Sequence, residues 1–181
     1  MFPITPNSRT KKAFSLLEVL VVLVIISILA ILGVQQISKM KTRAESTKCL
    51  QNLRALGNAL QLYLAEHNQI MPELEAGRLD ITEDVPTLDQ AFLSYVDSPL
   101  VFVCPSDATL AVRSGTSYYW NSTLNNQSTA SLSMLGMIEG HIRIPVISDK
   151  EGWHKWNPDR INILYADGSA REGIQFVSSD Q

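Results

Sequence analysis

The stretch FSLLEVLVVLVIISILAILGV, residues 14–34, decides how the whole chain is read. From Val19 to Val34 every residue is apolar or glycine except Ser27, and Glu18 is the one charge in the run. As an α-helix the run rises about 30 Å, the thickness of one hydrocarbon core. Ahead of it, MFPITPNSRTKKA carries Arg9, Lys11 and Lys12 and no acid, a balance that holds this end on the cytoplasmic side. The run is therefore an anchor or an export signal. Three readings compete: a signal peptide cut near Ser27-Ile28-Leu29-Ala30, an uncleaved single-pass anchor, and a leader cut before the apolar run. Glu18 separates them. A carboxylate in a membrane helix costs about 2.5–3.5 kcal/mol on insertion scales, and a plain anchor has no use for it.

Lys11-Lys12-Ala13-Phe14-Ser15-Leu16-Leu17-Glu18 resembles the leader junction of type IV pilins and type II secretion pseudopilins. The family pattern is basic residues, a small residue, then Phe-(Ser/Thr)-Leu-x-Glu opening an apolar helix. Ala13 stands where Gly is usual. The resemblance implies that a membrane peptidase cuts between Ala13 and Phe14 and that Phe14 becomes N-methylated. It also implies that Glu18 pairs with the Phe14 amine of a neighbouring subunit. Such pairing makes physical sense, because two lone charges in low dielectric cost far more than a pair, and a pair fixes the register between subunits. Cleavage removes three basic residues and no acid, so the net charge goes from −3 to −6.

The helix is expected to continue beyond the membrane. No proline lies between Pro6 and Pro72. Cys49, Leu50, Leu53, Leu56, Leu60, Tyr63, Leu64 and His67 recur at spacings of three and four, one apolar face of an amphipathic helix. Lys41, Glu45, Lys48, Gln51, Asn52, Asn58 and Glu66 are placed on the opposite face, with Gly33 and Gly57 as tolerable weak points. An end near His67-Asn68 gives a helix of about 80 Å. Lys39, Lys41, Arg43 and Lys48 form a basic cluster, read either as a contact to lipid headgroups or acidic neighbours or as a solvated face.

The remainder fits one modest domain. The chain has 181 residues, 45% of them hydrophobic, with 15 Lys+Arg against 18 Asp+Glu. This excludes a disordered chain and argues against a general nucleic-acid binder. Glu73, Glu75, Asp80, Glu83, Asp84 and Asp89 mark an acidic, loop-like connection. Further on the pattern predicts a short helix over 89–96, strands over 100–103, 117–121 and 142–148, and a loop over 122–133. Pro145 suggests that the third of these is an edge strand. Asp167-Gly168 between apolar runs 161–166 and 169–174 predicts a hairpin with a tight primed turn. The fold class is α+β: a long N-terminal helix, half transmembrane and half amphipathic, packed on a small antiparallel sheet. The organisation is a leader at 1–13, a long helix at 14–68 with a membrane or filament-core part at 14–34, and a globular periplasmic domain at 69–181.

Cys49-Leu-Gln-Asn-Leu-Arg-Ala-Leu-Gly-Asn-Ala-Leu, Val103-Cys104-Pro105-Ser106-Asp107, Ser117-Tyr118-Tyr119 and the segment from Arg160 to Ser169 resemble a pseudopilin group defined by a His, nine residues, then Asp-Gly. Here twelve residues separate His154 from Asp167. Cys49 and Cys104 are read either as a disulfide, worth about 4 kcal/mol through loop entropy, or as two buried thiols. Related major pseudopilins use a calcium-binding loop near the C-terminus, which makes Asp149, Glu151, Asp159 and Asp167 calcium candidates; otherwise they are a polar surface loop. His154 with Asp149 or Asp167 suggests a dyad, but no nucleophile motif accompanies it, so no enzyme is expected. Trp120, Trp153, Trp156, Tyr118 and Tyr119 read as packing.

Together the resemblances imply a pseudopilin of a type II secretion system, held by one pass in the inner membrane and then drawn into a periplasmic filament. Its partners would be other copies, other pseudopilins, the prepilin peptidase and an inner-membrane assembly platform, with no nucleic acid. A type IV pilin or a DNA-uptake pseudopilin fits the same leader. An ordinary membrane-anchored periplasmic binding module is the alternative of another class.

Overall fold

A computed structural model describes residues 15–132, 144–155 and 158–174, apart from the side chains of 32–35. It resolves into two compact units, Met1–Met40 and Lys41–Gln181. Helix α1, Leu16–Glu66, contributes to both.

In the first unit α1 is apolar from Val19 to Ile31 apart from Ser27, and none of these residues is buried. The Ser15 carbonyl accepts from the amides of Glu18 and Val19, which starts the helix, and Glu18 lies in its first turn. An acid there complements the partial positive charge of the helix N-terminus. Ser27 keeps its hydroxyl satisfied by donating to the Leu23 carbonyl at 2.7 Å, the local solution that a polar side chain needs in an apolar helix.

In the second unit the C-terminal half of α1 lays Cys49, Leu53, Leu56, Leu60 and Leu64 into the core. Leu50 and Tyr63 pack at its margin, while His67 is exposed and stacks on Tyr63 with ring centroids 3.8 Å apart. Asn52 departs from its expected solvent-side place. It is buried, with its Nδ2 donating to the Val103 carbonyl at 2.8 Å. The helix ends where Asn68 and Gln69 turn to positive φ and the Gln69 amide bonds back to the Leu64 carbonyl.

Four antiparallel strands form one sheet in the order β1 (Tyr118–Trp120), β2 (Pro145–Asp149), β3 (Asn162–Tyr165), β4 (Ala170–Glu172). The sheet shares a core with α1 that includes Phe92, Trp120, Leu124, Ile147 and Leu164. Gly57 lets α1 approach β3, since a Cβ there would sit 3.0 Å from Leu164 Cδ1. The α+β architecture with a long N-terminal helix on a small antiparallel sheet is as expected.

Several local expectations are corrected. The helix expected over 89–96 is a short α2, Leu88–Ala91, followed by a 3₁₀ turn at Leu93–Tyr95. Residues 100–103 are no strand: Pro99–Phe102 is a 3₁₀ turn, with the Ser98 hydroxyl accepting from the Leu100 amide and Pro99 preset for the first helical position. β2 is an interior strand paired on both sides, not an edge. Pro145 is tolerated because it is the first residue of the strand and adjoins a register shift. The turn at Asp167-Gly168 is a three-residue loop rather than a primed two-residue turn. The Gly168 amide bonds to Tyr165 O, the Tyr165 amide to Ser169 O, and Gly168, not Asp167, takes positive φ. A helix without a sequence-level expectation, α3 (Leu110–Ser114), is started by Asp107, whose carboxylate accepts from the amides of Thr109, Leu110 and Ala111.

The acidic connection is loop, as expected, and it is anchored from within. Arg78 is buried and donates to Asp89 Oδ2 at 2.6 Å and to Thr87 Oγ1 at 2.9 Å. Gly115, at φ 83°, closes α3 against this pair, and a Cβ there would collide with the Arg78 guanidinium.

Candidate functional site

The leader junction, Lys11, Lys12, Ala13 and Phe14, lies outside the described residues. Beyond the junction, Glu18 is exposed in the first turn of α1, on a helix whose residues from Leu16 to Ile31 leave their apolar side chains uncovered. Leu16, Val19, Leu20 and Leu23 line a shallow apolar groove along it. A surface this apolar needs lipid or other helices against it. Glu18 is then a carboxylate at the head of an apolar surface, where its desolvation is costly.

Lys39, Lys41, Arg43 and Lys48 are exposed on α1, and Lys41 lies 3.8 Å from Glu45 one turn on. An exposed pair of this kind contributes little to stability.

A second group of chemically active side chains is wholly buried. Cys49 of α1 and Cys104, after the 3₁₀ turn at Pro99–Phe102, are joined by a disulfide with Cα atoms 5.1 Å apart. It closes a loop of 55 residues in sequence separation, which by chain entropy is worth about 4 kcal/mol. The Cys104 amide donates to Ser117 Oγ at 2.9 Å, and that hydroxyl donates to Asp107 at 2.7 Å. So the helix cap at Asp107 and the disulfide are held by one serine beside β1.

His154 stands beside this disulfide, with no solvent exposure. Its Nε2 is 3.7 Å from Cys104 Sγ and 3.1 Å from Asp149 Oδ2. Asp149, the last residue of β2, also accepts the Asn162 amide at 2.6 Å. Burial pushes the Asp149 carboxyl above the ordinary range, against the pull of His154 and the Asn162 amide. The dyad suggested by the sequence thus exists for Asp149, but not for Asp167, whose Oδ1 accepts the Ser169 amide in the β3–β4 turn.

The four calcium candidates are not brought together. Asp149 faces inward because the burial pattern of β2 carries its last side chain into the core. Glu151, Asp159 and Asp167 are exposed, and Asp159 Oδ2 accepts the Ile174 amide at 2.9 Å. Among the described residues, the cluster of metal-ligating atoms that contains Asp149 is completed by Cys49, Cys104 and His154. The sequence offered no spacing signal for that grouping, since its members come from α1, a loop, β2 and a second loop.

Residues 8–34 match the family described as the prokaryotic N-terminal methylation motif. The match spans the leader junction and the apolar run, and it supports a pilin-like protein with one apolar N-terminal helix suited to membrane anchoring. No curated protein and no solved structure matches the chain.

Proposed function

We propose that this chain is a pseudopilin of a type II secretion system. It is made as a prepilin, cut by the prepilin peptidase between Ala13 and Phe14, and N-methylated on Phe14. The observation that carries the reading is the coincidence of the methylation-motif match at 8–34 with a helix whose apolar surface is left uncovered. The processed chain waits in the inner membrane with its C-terminal domain in the periplasm. It then moves to a filament of its own copies and other pseudopilins, built on an inner-membrane platform.

The mechanism is packing rather than catalysis. Neighbouring helices replace lipid around Leu16–Ile31, so extraction does not expose the apolar run to water. Glu18 of one subunit neutralises the Phe14 amine of the next, which removes the cost of two isolated charges and sets the axial step. The filament acts mechanically on exported protein, and neither an enzymatic step nor nucleic acid is involved.

A type IV pilin or DNA-uptake pseudopilin shares every one of these features up to the filament, and a surface filament seen by microscopy would select it. Glu18→Ala separates both from a plain anchor. In cells, disulfide cross-linking between cysteines introduced along Leu16–Ile31 should give subunit ladders with Glu18 and lose them with Glu18→Ala, while membrane attachment is retained. Equal ladders with both chains would contradict the assembly role of Glu18.

A further inference from the structure

The buried cluster around the disulfide has the composition and dimensions of a zinc site closed by an S–S bond. Cys49 Sγ, Cys104 Sγ, a carboxylate oxygen of Asp149 and a ring nitrogen of His154 all lie within 4.8 Å of one another, and all four residues are buried. Zinc bonds of about 2.3 Å to sulfur and about 2.0–2.1 Å to nitrogen or oxygen give tetrahedral edges of about 3.6 Å for S···N and about 3.4 Å for N···O. The structure has 3.7 Å from Cys104 Sγ to His154 Nε2 and 3.1 Å from that nitrogen to Asp149 Oδ2. The edge between the two sulfurs is short of tetrahedral because they are bonded, and the remaining edges lie within 4.8 Å. Breaking that bond lets the sulfur edge open toward the roughly 3.8 Å of a zinc dithiolate.

A second observation points to a ligand. Asp149 Oδ1 is buried with no hydrogen-bond partner among the described residues. A buried carboxylate oxygen left unpaired is costly, and a cation is the partner that compensates it best. Two thiolates, one imidazole and one carboxylate are ligands suited to Zn²⁺, and they are unlike the all-oxygen set that calcium takes.

We propose that the reduced chain binds one Zn²⁺ through the thiolates of Cys49 and Cys104, His154 Nε2 and a carboxylate oxygen of Asp149. A dithiol reductant passes two electrons and two protons to the disulfide and becomes a disulfide itself. Cys49 and Cys104 become thiols. Zn²⁺ then displaces one proton from each, with no change in its oxidation state. The charges of two thiolates and one carboxylate leave the site at −1, and the Asn162 amide already donates to that carboxylate. Disulfide and zinc are mutually exclusive occupants of one place, and either one ties α1 to the segment ahead of β1. The domain therefore keeps its helix-to-sheet stitch in both oxidising and reducing surroundings.

The test uses the full chain in detergent micelles, reduced with a dithiol under nitrogen, freed of reductant and titrated with Co²⁺. One equivalent should produce sulfur-to-cobalt charge-transfer bands and the intense visible absorption of tetrahedral cobalt. One equivalent of Zn²⁺ should abolish both, and the oxidised chain should show neither. His154→Ala and Asp149→Asn should each weaken zinc binding by more than the roughly 10–100-fold typical of changes to residues that only support a ligand. Because both variants disturb a buried site, X-ray absorption of the zinc-loaded native chain supplies an independent reading. Two sulfurs at about 2.3 Å and two lighter atoms at about 2.0 Å support the site. No cobalt charge-transfer band on the reduced native chain, or a zinc shell without two sulfurs, overturns it.

Discussion

Asn52 Nδ2 donates to the Val103 carbonyl at 2.8 Å, so a polar side chain on the core face of α1 grips the residue next to the cysteine that α1 also holds covalently. The disulfide from Cys49 and the hydrogen bond from Asn52 reach adjacent residues from positions one turn apart. Together they fix α1 against the segment that leads into β1. Asn52→Ala leaves that carbonyl without its partner inside the protein, and should cost about 1–3 kcal/mol. Urea unfolding of the oxidised chain, followed by the fluorescence of buried Trp120, checks it.

Arg78 is a buried cation whose partner is Asp89. Arg78→Ala strands the carboxylate in a poorly solvated place, and the loss should be about 3 kcal/mol, well above that of an exposed pair. Double substitution with Asp89→Ala should recover part of it. Gly115→Ala should be similarly damaging, since it combines a positive φ with a collision against the same guanidinium. Urea midpoints of the three variants against the native chain provide the comparison.

Gly57 is a packing position. Gly57→Ala gains helix propensity but crowds Leu164, so its net effect should be small. Gly57→Leu has no room and should cost about 1–3 kcal/mol by overpacking. The ordering of unfolding midpoints among the native chain, Gly57→Ala and Gly57→Leu is the check.

Asp107 gives a pH signature. Burial raises its carboxyl, but the Ser117 hydroxyl and the amides of Thr109, Leu110 and Ala111 outweigh that and leave it below the ordinary carboxylate value. A group whose pKa is lowered on folding stabilises the protein above its unfolded value, about 3.9 for Asp, and the contribution fades as pH falls through the lower native value. Asp107→Asn should therefore be less stable than the native chain at pH 6, with the gap narrowing as the pH approaches about 2. Unfolding midpoints across that range test it; a constant gap would contradict it.

The parts legible in the sequence were those set by composition or period. The apolar run from Val19 needs no partner to be recognised, and the three-four spacing of Cys49, Leu53, Leu56, Leu60 and Leu64 identifies the face that reaches the core. The parts that escaped depend on tertiary partners. Asn52 looks like a solvent-side residue until Val103 is found above it. Pro145 looks like an edge marker until the strand's start and register shift are known. Residues 100–103 are rich in strand-forming types, yet Ser98 and Pro99 set a 3₁₀ turn. Cys49 with Cys104 and Asp149 with His154 could each be read as a pair, but that the two pairs meet was hidden for the same reason: nothing in the sequence relates one pair to the other.

Processing at the N-terminus is tested most directly by the intact mass and N-terminal sequence of the protein purified from its native membranes. The expected chain begins at N-methylated Phe14, with the Cys49–Cys104 disulfide intact. A chain that begins at Met1, or one that begins beyond Ala30, would contradict prepilin processing and with it the filament role.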